Sequence, residues 1–195
     1  MPAEAGGQGL NRSARRAALF WIAAAAILVL DLWTKQAVFE RLGVDPSTIE
    51  SIDVSGPPKR IALLGQRVSF VALLNPGMMW GAFRNHPTLL KVVRPLAVLV
   101  IFLLLSSLPA AQWRSRVALG AILGGALGNI YDSFKFVGVR DFLEVDLDFP
   151  VFDPFPAFNV ADSAICVGVA VLALGMMLGS KEPSSCPRST STSPD

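Results

Sequence analysis

The sequence contains few of the residues that most enzymes use for metal or nucleophilic chemistry. It has one histidine, His86, and two cysteines, Cys166 in an apolar run and Cys186 in a polar C-terminal segment. A zinc site of two or three histidines, a HExxH helix and a Ser-His-Asp triad are therefore excluded. The cysteines lack CxxC spacing, and no structural disulfide is expected between them. Any enzymatic activity has to rely on carboxylates or on Ser and Lys.

Charged residues are also scarce. They make up 16% of the 195 residues, whereas about a quarter is usual in a soluble domain. The net charge of +2 is too small to indicate a polyanionic partner such as nucleic acid. Apolar residues make up 52%, and the 16 glycines raise the fraction to about 60%. This composition disfavours a disordered chain, a nucleic-acid-binding module and a small disulfide scaffold, and it indicates a membrane protein.

Four apolar stretches approach the length of about 20 helical residues that a hydrocarbon core of about 30 Å requires. We predict four transmembrane helices over about 17–39, 92–109, 115–135 and 159–180. Three arginines precede the first stretch, as in a signal peptide. However, that stretch ends in Asp31-Leu32-Trp33-Thr34-Lys35 and not in a small-x-small cleavage signal. We therefore expect it to be retained as a span.

The segment 40–91 between the first two helices is predicted to contain β-structure. Residues 60–74 are rich in β-branched and large apolar side chains and follow the turn Gly56-Pro57-Pro58, which favours one or two strands. We therefore predict a mainly α membrane protein with a small extracytoplasmic β-cradle. Residues 15–180 are expected to form a single integral membrane domain, flanked by disordered cytoplasmic tails over 1–14 and 181–195.

The distribution of Lys and Arg predicts the orientation in the membrane. The N-terminal segment, the turn between the second and third helices and the C-terminal tail are basic, whereas the loop 137–158 holds five acidic residues against Arg140 alone. Both termini are expected in the cytoplasm, with the acidic loop and the segment 40–91 on the opposite side. Six Lys and Arg residues within 40–91 weaken this bias.

Several polar residues lie within or beside the outer ends of the predicted helices, where an ionisable group costs about 2.5–3.5 kcal/mol to insert. They are Asp31, Asn129, Asp132, Asp141, Asn159 and Asp162. Two carboxylates that meet cannot both ionise cheaply, so one keeps a proton and the other acts as a base. Asp141 and Asp162 are the candidate pair. Such a pair can activate water for attack on an amide and protonate the leaving nitrogen.

Simpler structural roles are open for some of these residues. Asp31 and Lys35 are four residues apart and suit an ordinary helical ion pair. Asn159 and Asp162 have the spacing of a helix-capping arrangement. A proton or ion pathway is disfavoured, because the carboxylates cluster at one membrane face. Close helix packing is the simplest role for three glycines at four-residue spacing, Gly120, Gly124 and Gly128.

Four blocks of the sequence, taken together and in order, resemble the signal peptidase II family, the lipoprotein signal peptidases of the bacterial inner membrane, which are aspartic proteases. The blocks are Asp31-x-x-Thr34-Lys35, Asn75-x-Gly77, Asn129-x-x-Asp132 with Gly138-x-x-Asp141, and Asn159-x-x-Asp162. Any one block would be a weak signal. Four blocks in the family's order, in a chain with four predicted helices, are a strong one.

The resemblance implies that Asp141 and Asp162 are the catalytic pair, with no metal and no cofactor. It implies that the substrate is a prolipoprotein whose cysteine carries a diacylglyceryl group, cut just before that cysteine near the periplasmic face. The expected partners are these substrates and membrane lipids, and the expected state is a monomer. The residues implied to bind substrate or support the pair are Asp31, Lys35, Asn75, Gly77, Gly125, Asn129, Asp132, Asn159 and Ala161.

One departure from the family pattern concerns the position after Asp132. The family normally has arginine there, where it helps to hold the substrate backbone, and this chain has Ser133. A serine cannot imitate the fixed fork of donors of a guanidinium. Lys135 and Arg140 are candidates for a nearby replacement cation. An alternative function follows from this departure: a catalytically weakened paralogue that binds lipoproteins or an inhibitor of the active enzyme.

Overall fold

The computed structural model describes residues 5–49, 58–65, 67–77, 87–108, 112–146 and 155–179. Within these ranges the chain forms four α-helices, three β-strands and one short 3-10 helix, Pro46–Thr48. The helices are α1 (Ala5–Arg41), α2 (Pro87–Ser107), α3 (Trp113–Lys135) and α4 (Val160–Gly179). The strands are β1 (Arg60–Leu64), β2 (Val68–Asn75) and β3 (Val139–Val145).

Each of the four helices contains a segment that is long and apolar enough to cross a membrane. These segments are Ala17–Arg41, Thr88–Ser107, Trp113–Lys135 and Val160–Leu178. The predicted four-helix membrane fold is therefore confirmed. One boundary differs clearly, since α2 begins at Pro87 and not near residue 92. The fixed φ and missing N–H of a proline suit the first turn of a helix, which explains the early start.

The N-terminal end of α1 also differs from the sequence expectation. The helix begins at Ala5, so it covers most of the segment 1–14 that the sequence predicts as a disordered tail. Once a helix is nucleated in the apolar run, each further residue adds one backbone hydrogen bond, which favours extension. The second predicted tail, 181–195, lies outside the described residues.

The three strands form one antiparallel sheet in the order β1-β2-β3. The sequence predicts the β-cradle from the segment 40–91, and the third strand of the sheet, β3, comes from the acidic loop 137–158. The first four residues of β3 are all buried, so the alternation typical of a half-buried strand is missing there. The sheet packs on the C-terminal end of α1 through a cluster of apolar residues, Val38, Phe39, Leu42, Leu74 and Phe142.

Helix α3 is the central helix of the bundle. In its apolar segment 61% of the residues are buried, against 11–17% in the other three. It packs against α1, α2 and α4. Leu119 and Leu123 belong to the same core cluster as Phe20 of α1. The outer helices expose large apolar side chains such as Leu103 and Met177. That surface suits the hydrocarbon of a membrane, in which apolar side chains need no burial in protein.

Glycines on α3 allow the backbone of α1 to come close. A Cβ atom at Gly124 would lie 2.3 Å from the carbonyl oxygen of Ala24, and one at Gly120 would lie 2.3 Å from that of Phe20. The predicted role of these glycines in close helix packing is thus confirmed. Because the obstructing atoms belong to backbone, the contact cannot be relieved by a side-chain rotation.

We expect Gly124→Ala to destabilise the fold by about 1–3 kcal/mol, the usual cost of overpacking. Gly175→Ala in α4 is the matched control, because a Cβ there meets nothing within 4 Å. Both changes gain the same helix propensity, about 1 kcal/mol. The difference in stability between the two variants therefore measures the clash of the new Cβ with the backbone of α1. Thermal unfolding in detergent micelles measures it, and equal midpoints for the two variants would show that α1 and α3 do not approach as described.

Candidate active site

Asp141 and Asp162 line one cavity of about 290 Å³ between α2, α3 and α4, at the end of the bundle that carries the sheet. Asp141 lies in β3 opposite Leu73, and the β2–β3 register shifts just before this pair. Such irregularities redirect a side chain out of the regular strand alternation. Asp162 lies in the first turn of α4. The chain thus brings the two candidate catalytic residues to the same cavity from two different elements.

The carboxylate of Asp141 is buried, with 2% of the residue exposed. Its Oδ2 accepts a hydrogen bond of 2.9 Å from Asn75 Nδ2, and its Oδ1 accepts one of 2.6 Å from Asn159 Nδ2. Burial, together with the negative charge of Asp162, raises the pKa of Asp141 to about 7, although the hydrogen bonds from both asparagines act in the opposite direction. A carboxyl group with this pKa holds a proton at neutral pH far more often than an ordinary aspartate.

Asp162 has a different environment at the N-terminus of α4. Its backbone N–H donates to Asn159 Oδ1 at 2.9 Å, and its Oδ2 accepts from the backbone N–H of Asn159 at 3.3 Å. The predicted capping arrangement is therefore present. Its Oδ1 accepts a bond of 2.9 Å from Asn129 Nδ2. The same carboxylate caps the helix and faces the cavity, so the structural and the functional interpretation of Asp162 are compatible.

Three asparagines direct their amide donors at the two carboxylates. The Oδ1 atom of each accepts from a group that can only donate: Lys35 Nζ for Asn129, the Gly77 N–H for Asn75 and the Asp162 N–H for Asn159. Each amide nitrogen must then point the other way, towards Asp162 or Asp141. The orientation of all three side chains is fixed by this pattern.

Behind the cavity lies a fully buried charge cluster centred on Lys35. Its ammonium group contacts Asp31 at 2.7 Å and Asp132 at 3.2 Å, and these three side chains have no exposed surface. It also donates to Asn129 at 2.9 Å. The predicted Asp31–Lys35 ion pair is confirmed, but it is not an ordinary surface pair, because it links α1 to α3. Asn129 connects this cluster to Asp162.

Arg140 completes the charge cluster and does not face the cavity. Its Nη2 lies 2.8 Å and its Nε 3.1 Å from Asp132 Oδ1, and its backbone N–H donates to Asp132 Oδ2 at 3.0 Å. Its Nη1 donates to Gln36 at 3.1 Å, and its guanidinium lies 4.7 Å from the centre of the Phe136 ring. Neighbouring residues of a strand point to opposite faces, which places Arg140 behind the sheet and Asp141 in the cavity.

The remaining predicted support residues hold α4 against α1 and α3. Asp31 Oδ1 accepts a bond of 2.9 Å from the backbone N–H of Ala161, which is fully buried. A Cβ at Gly128 would lie 2.3 Å from Asp31 Oδ2, and one at Gly125 would lie 2.7 Å from the carbonyl oxygen of Ala161. All the site residues expected from the sequence thus lie together at one end of the bundle.

Two residues that sequence reasoning assigned no role take part in this site. Gln36 accepts from Arg140. Arg94 of α2 lines the cavity and donates to Ser133 Oγ and, at 3.1 Å, to the carbonyl oxygen of Gly77. The sequence does contain a signal for a role of Arg94. It is a charged residue inside the predicted span 92–109, and such residues are rare in spans.

The two cations that the sequence suggested as replacements are placed elsewhere. Arg140 is bound to Asp132, as described above, and Lys135 is exposed and donates to the hydroxyl of Tyr131 at 2.7 Å. Neither lines the cavity. The expectation is therefore corrected: of these three cations, Arg94 is the one that lines the cavity. Among the described residues, no group of three or more His, Cys, Asp and Glu side chains is arranged to hold a metal ion.

Comparison with known proteins decides the family. The family model for Signal peptidase (SPase) II matches residues 23–178. The chain belongs to the signal peptidase II family. A lipoprotein signal peptidase of Brevibacillus brevis is 31% identical over 163 residues, which is 84% of this chain and 97% of that protein. One of Geobacillus kaustophilus is 31% identical over 159 residues, with 82% and 92% covered.

A solved structure described as a bacterial membrane enzyme, determined by the in meso method at 2.3 Å resolution, has the same fold. It aligns with a TM-score of 0.65 over 85% of this chain and 93% of that one, at 19% sequence identity. As a member of the signal peptidase II family, the chain is a membrane peptidase that processes the signal peptides of prolipoproteins.

We expect Lys35→Met to destabilise the protein by about 3–5 kcal/mol, because it leaves buried carboxylates without their cation. Lys135→Met is the matched control, since that ammonium group is exposed, and we expect a change below about 1 kcal/mol. The measurement is the unfolding midpoint in detergent micelles. A Lys35 variant as stable as the Lys135 variant would contradict the buried cluster.

Proposed function

We propose that the chain is an aspartic endopeptidase that cuts prolipoproteins immediately before the diacylglyceryl-modified cysteine, with Asp141 and Asp162 as its catalytic residues. The observation that carries this proposal is the convergence of the two carboxylates on one cavity, each bound by the amide groups of asparagines. Membership of the signal peptidase II family supports it.

The two carboxyl groups have unequal environments, which assigns their roles. Asp141 is buried and has a pKa of about 7, so we assign the shared proton to it. Asp162 is more exposed than Asp141, and we assign the ionised state to it because the positive end of the α4 dipole stabilises a negative charge. Two interacting carboxyl groups whose environments favour different protonation states can serve as the acid and the base of a hydrolytic pair.

The reaction then proceeds without a covalent bond between the enzyme and the substrate. Ionised Asp162 takes a proton from water as the oxygen attacks the scissile carbonyl carbon, while Asp141 gives its proton to the carbonyl oxygen. When the tetrahedral intermediate collapses, the C–N bond breaks, the nitrogen leaves as an amine with the proton from Asp162, and the oxygen returns its proton to Asp141. One water is consumed, and the pair returns to its starting protonation state.

The cavity is lined by two kinds of residue, which fits a lipid-anchored peptide. The polar lining residues include the two carboxylates with Asn75 and Asn129, and the helices add apolar lining residues. An extended peptide can place its scissile amide at the carboxylates while its apolar side chains contact the apolar lining. The apolar lining residues of the helices are Val93, Ala97, Ala126 and Ile165.

The same proposal includes the location and state of the protein. The basic N-terminal segment and the basic turn between α2 and α3 favour an inner-membrane protein with both termini in the cytoplasm. The sheet and the cavity then lie near the periplasmic face. Both carboxylates and all their donors come from one chain, so a monomer has the complete site, and residues 15–180 serve as a single peptidase domain.

We expect Asp141→Asn and Asp162→Asn each to lower the cleavage rate of a diacylglyceryl-modified prolipoprotein by at least about 10³-fold, because either change removes the acid or the base. Asp45→Asn is the matched control, since Asp45 is exposed and caps the 3-10 helix. Gel-shift assays of signal-peptide release measure the rate. Wild-type rates in either dyad variant would refute the assignment, and tight binding by a wild-type chain that never cleaves would favour the weakened paralogue.

We expect kcat/KM to fall as the pH rises through about 7. The raised pKa of Asp141 means that its proton is present below this pH and lost above it, and the reaction requires that proton. Initial rates between pH 5 and 9, with unfolding midpoints at the same pH values as a control, measure the dependence. A rate that stays constant up to pH 9 would contradict the assignment of the proton to Asp141.

A further inference from the structure

Arg94 is an arginine inside a membrane-spanning helix, close to the catalytic pair. It lies within the segment Thr88–Ser107 of α2, whose other side chains are apolar and mostly exposed, apart from Lys91 and the polar residues Thr88, Ser106 and Ser107 near its ends. Placing a charged side chain inside a span is unfavourable, and such residues face a partner or a cavity. The guanidinium of Arg94 lines the cavity that holds Asp141 and Asp162.

The partners of Arg94 leave most of its hydrogen-bonding capacity open. Among the described residues it donates to two neutral oxygens, those of Ser133 and Gly77, and it pairs with no carboxylate at salt-bridge distance. A guanidinium has five N–H donors in a fixed fork. It also interacts electrostatically with Asp162 and Asp141 across the cavity. Donors therefore remain for a ligand that enters the cavity.

Ser133 leaves space for the guanidinium of Arg94 beside α3 and accepts a hydrogen bond from it. It is buried, with 4% of the residue exposed, and its hydroxyl donates to the carbonyl oxygen of Asn129 while it accepts from Arg94. The serine thus joins the guanidinium to α3 with a small side chain. A large cationic side chain at this position would occupy the space of Arg94 and repel its charge.

We propose that Arg94 is a substrate-binding residue of this enzyme and that Ser133 is its docking partner. The free donors of Arg94 bind backbone carbonyl oxygens of the prolipoprotein beside the scissile bond, and the two residues together replace the arginine usual after Asp132. The cation enters the site from α2 instead of α3. The proposal rests on the proposed function. Under it, Ser133 and Arg94 act together in place of the usual arginine, so Ser133 does not mark a loss of substrate binding.

The test is a double-variant cycle at positions 94 and 133, with cleavage of a diacylglyceryl-modified prolipoprotein as the readout. We expect Arg94→Gln to lower kcat/KM about 10- to 100-fold, as for a lost hydrogen bond to a charged group. Ser133→Arg alone should also lower it, since two guanidinium groups would compete for one space. The double variant R94Q/S133R should be at least about 10-fold more active than R94Q.

Two controls separate substrate binding from a structural role. Arg114→Gln removes an arginine at the other end of the bundle, where it lies 5.6 Å from the Trp113 ring centre, and should leave kcat/KM within about twofold. Arg94→Gln should raise KM more than it lowers kcat, with an unchanged unfolding midpoint. A lowered midpoint, with no rescue by Ser133→Arg, would assign Arg94 a structural role and overturn the proposal.

A binding arm keeps this test independent of cleavage. A fluorescent diacylglyceryl-modified prolipoprotein is titrated in detergent micelles with Asp141→Asn protein, with and without Arg94→Gln. We expect about 10-fold weaker binding without the guanidinium. If wild-type protein cleaves but Arg94→Gln changes neither KM nor affinity, the role of Arg94 is wrong and the proposed function stands. If wild-type protein does not cleave, the proposed function fails, and the affinities alone decide the role of Arg94.

Discussion

The whole site depends on one buried cation, the ammonium group of Lys35. It has no exposed surface and is held between Asp31 of its own helix and Asp132 of α3. Arg140 brings a second cation to Asp132, so the two formal positive charges balance the two negative ones. Breaking such a cluster by removing one partner leaves an unpaired buried charge, which costs several kcal/mol. The cluster therefore fixes how α1, α3 and β3 lie relative to one another.

The cluster reaches the catalytic cavity through amide groups. Asn129 accepts from Lys35 on one side and donates to Asp162 on the other, so a buried charge sets the direction of a hydrogen bond at the dyad. Asn75 and Asn159 do the same for Asp141 with backbone N–H groups in place of the ammonium. The carboxylates are thus held by fixed dipoles, the kind of preorganisation that hydrolytic sites require.

The sequence was informative wherever the deciding property is local. Apolar length is a property of one stretch of chain, so four spans could be predicted, and the four-residue spacing of Gly120 and Gly124 predicted the close contact of α1 and α3. The spacing of Asn159 and Asp162 predicted the helix cap for the same reason. The candidate pair of Asp141 and Asp162 follows from the chemistry of two carboxylates that meet, whereas the roles of the other site residues come from the resemblance to the family. All these roles remain predictions.

What the sequence did not provide depends on contacts between distant segments. Strand β3 is defined by its pairing with β2, which lies some 70 residues earlier, and its buried start hides the alternation of a strand. Arg94 is 39 residues from Ser133 along the chain, and only the packing of α2 on α3 brings them together. The bonds of Arg140 to Asp132 depend on how β3 packs against α3, which the sequence alone does not show.

The account is tested most directly by mass spectrometry of the products that the purified protein releases from a diacylglyceryl-modified prolipoprotein. The same prolipoprotein without the lipid serves as the matched substrate. The structure and the family lead us to expect two fragments from the lipidated substrate, a signal peptide and a lipoprotein whose first residue is the modified cysteine. Cleavage at another bond, or no cleavage of the lipidated substrate at all, would contradict the account.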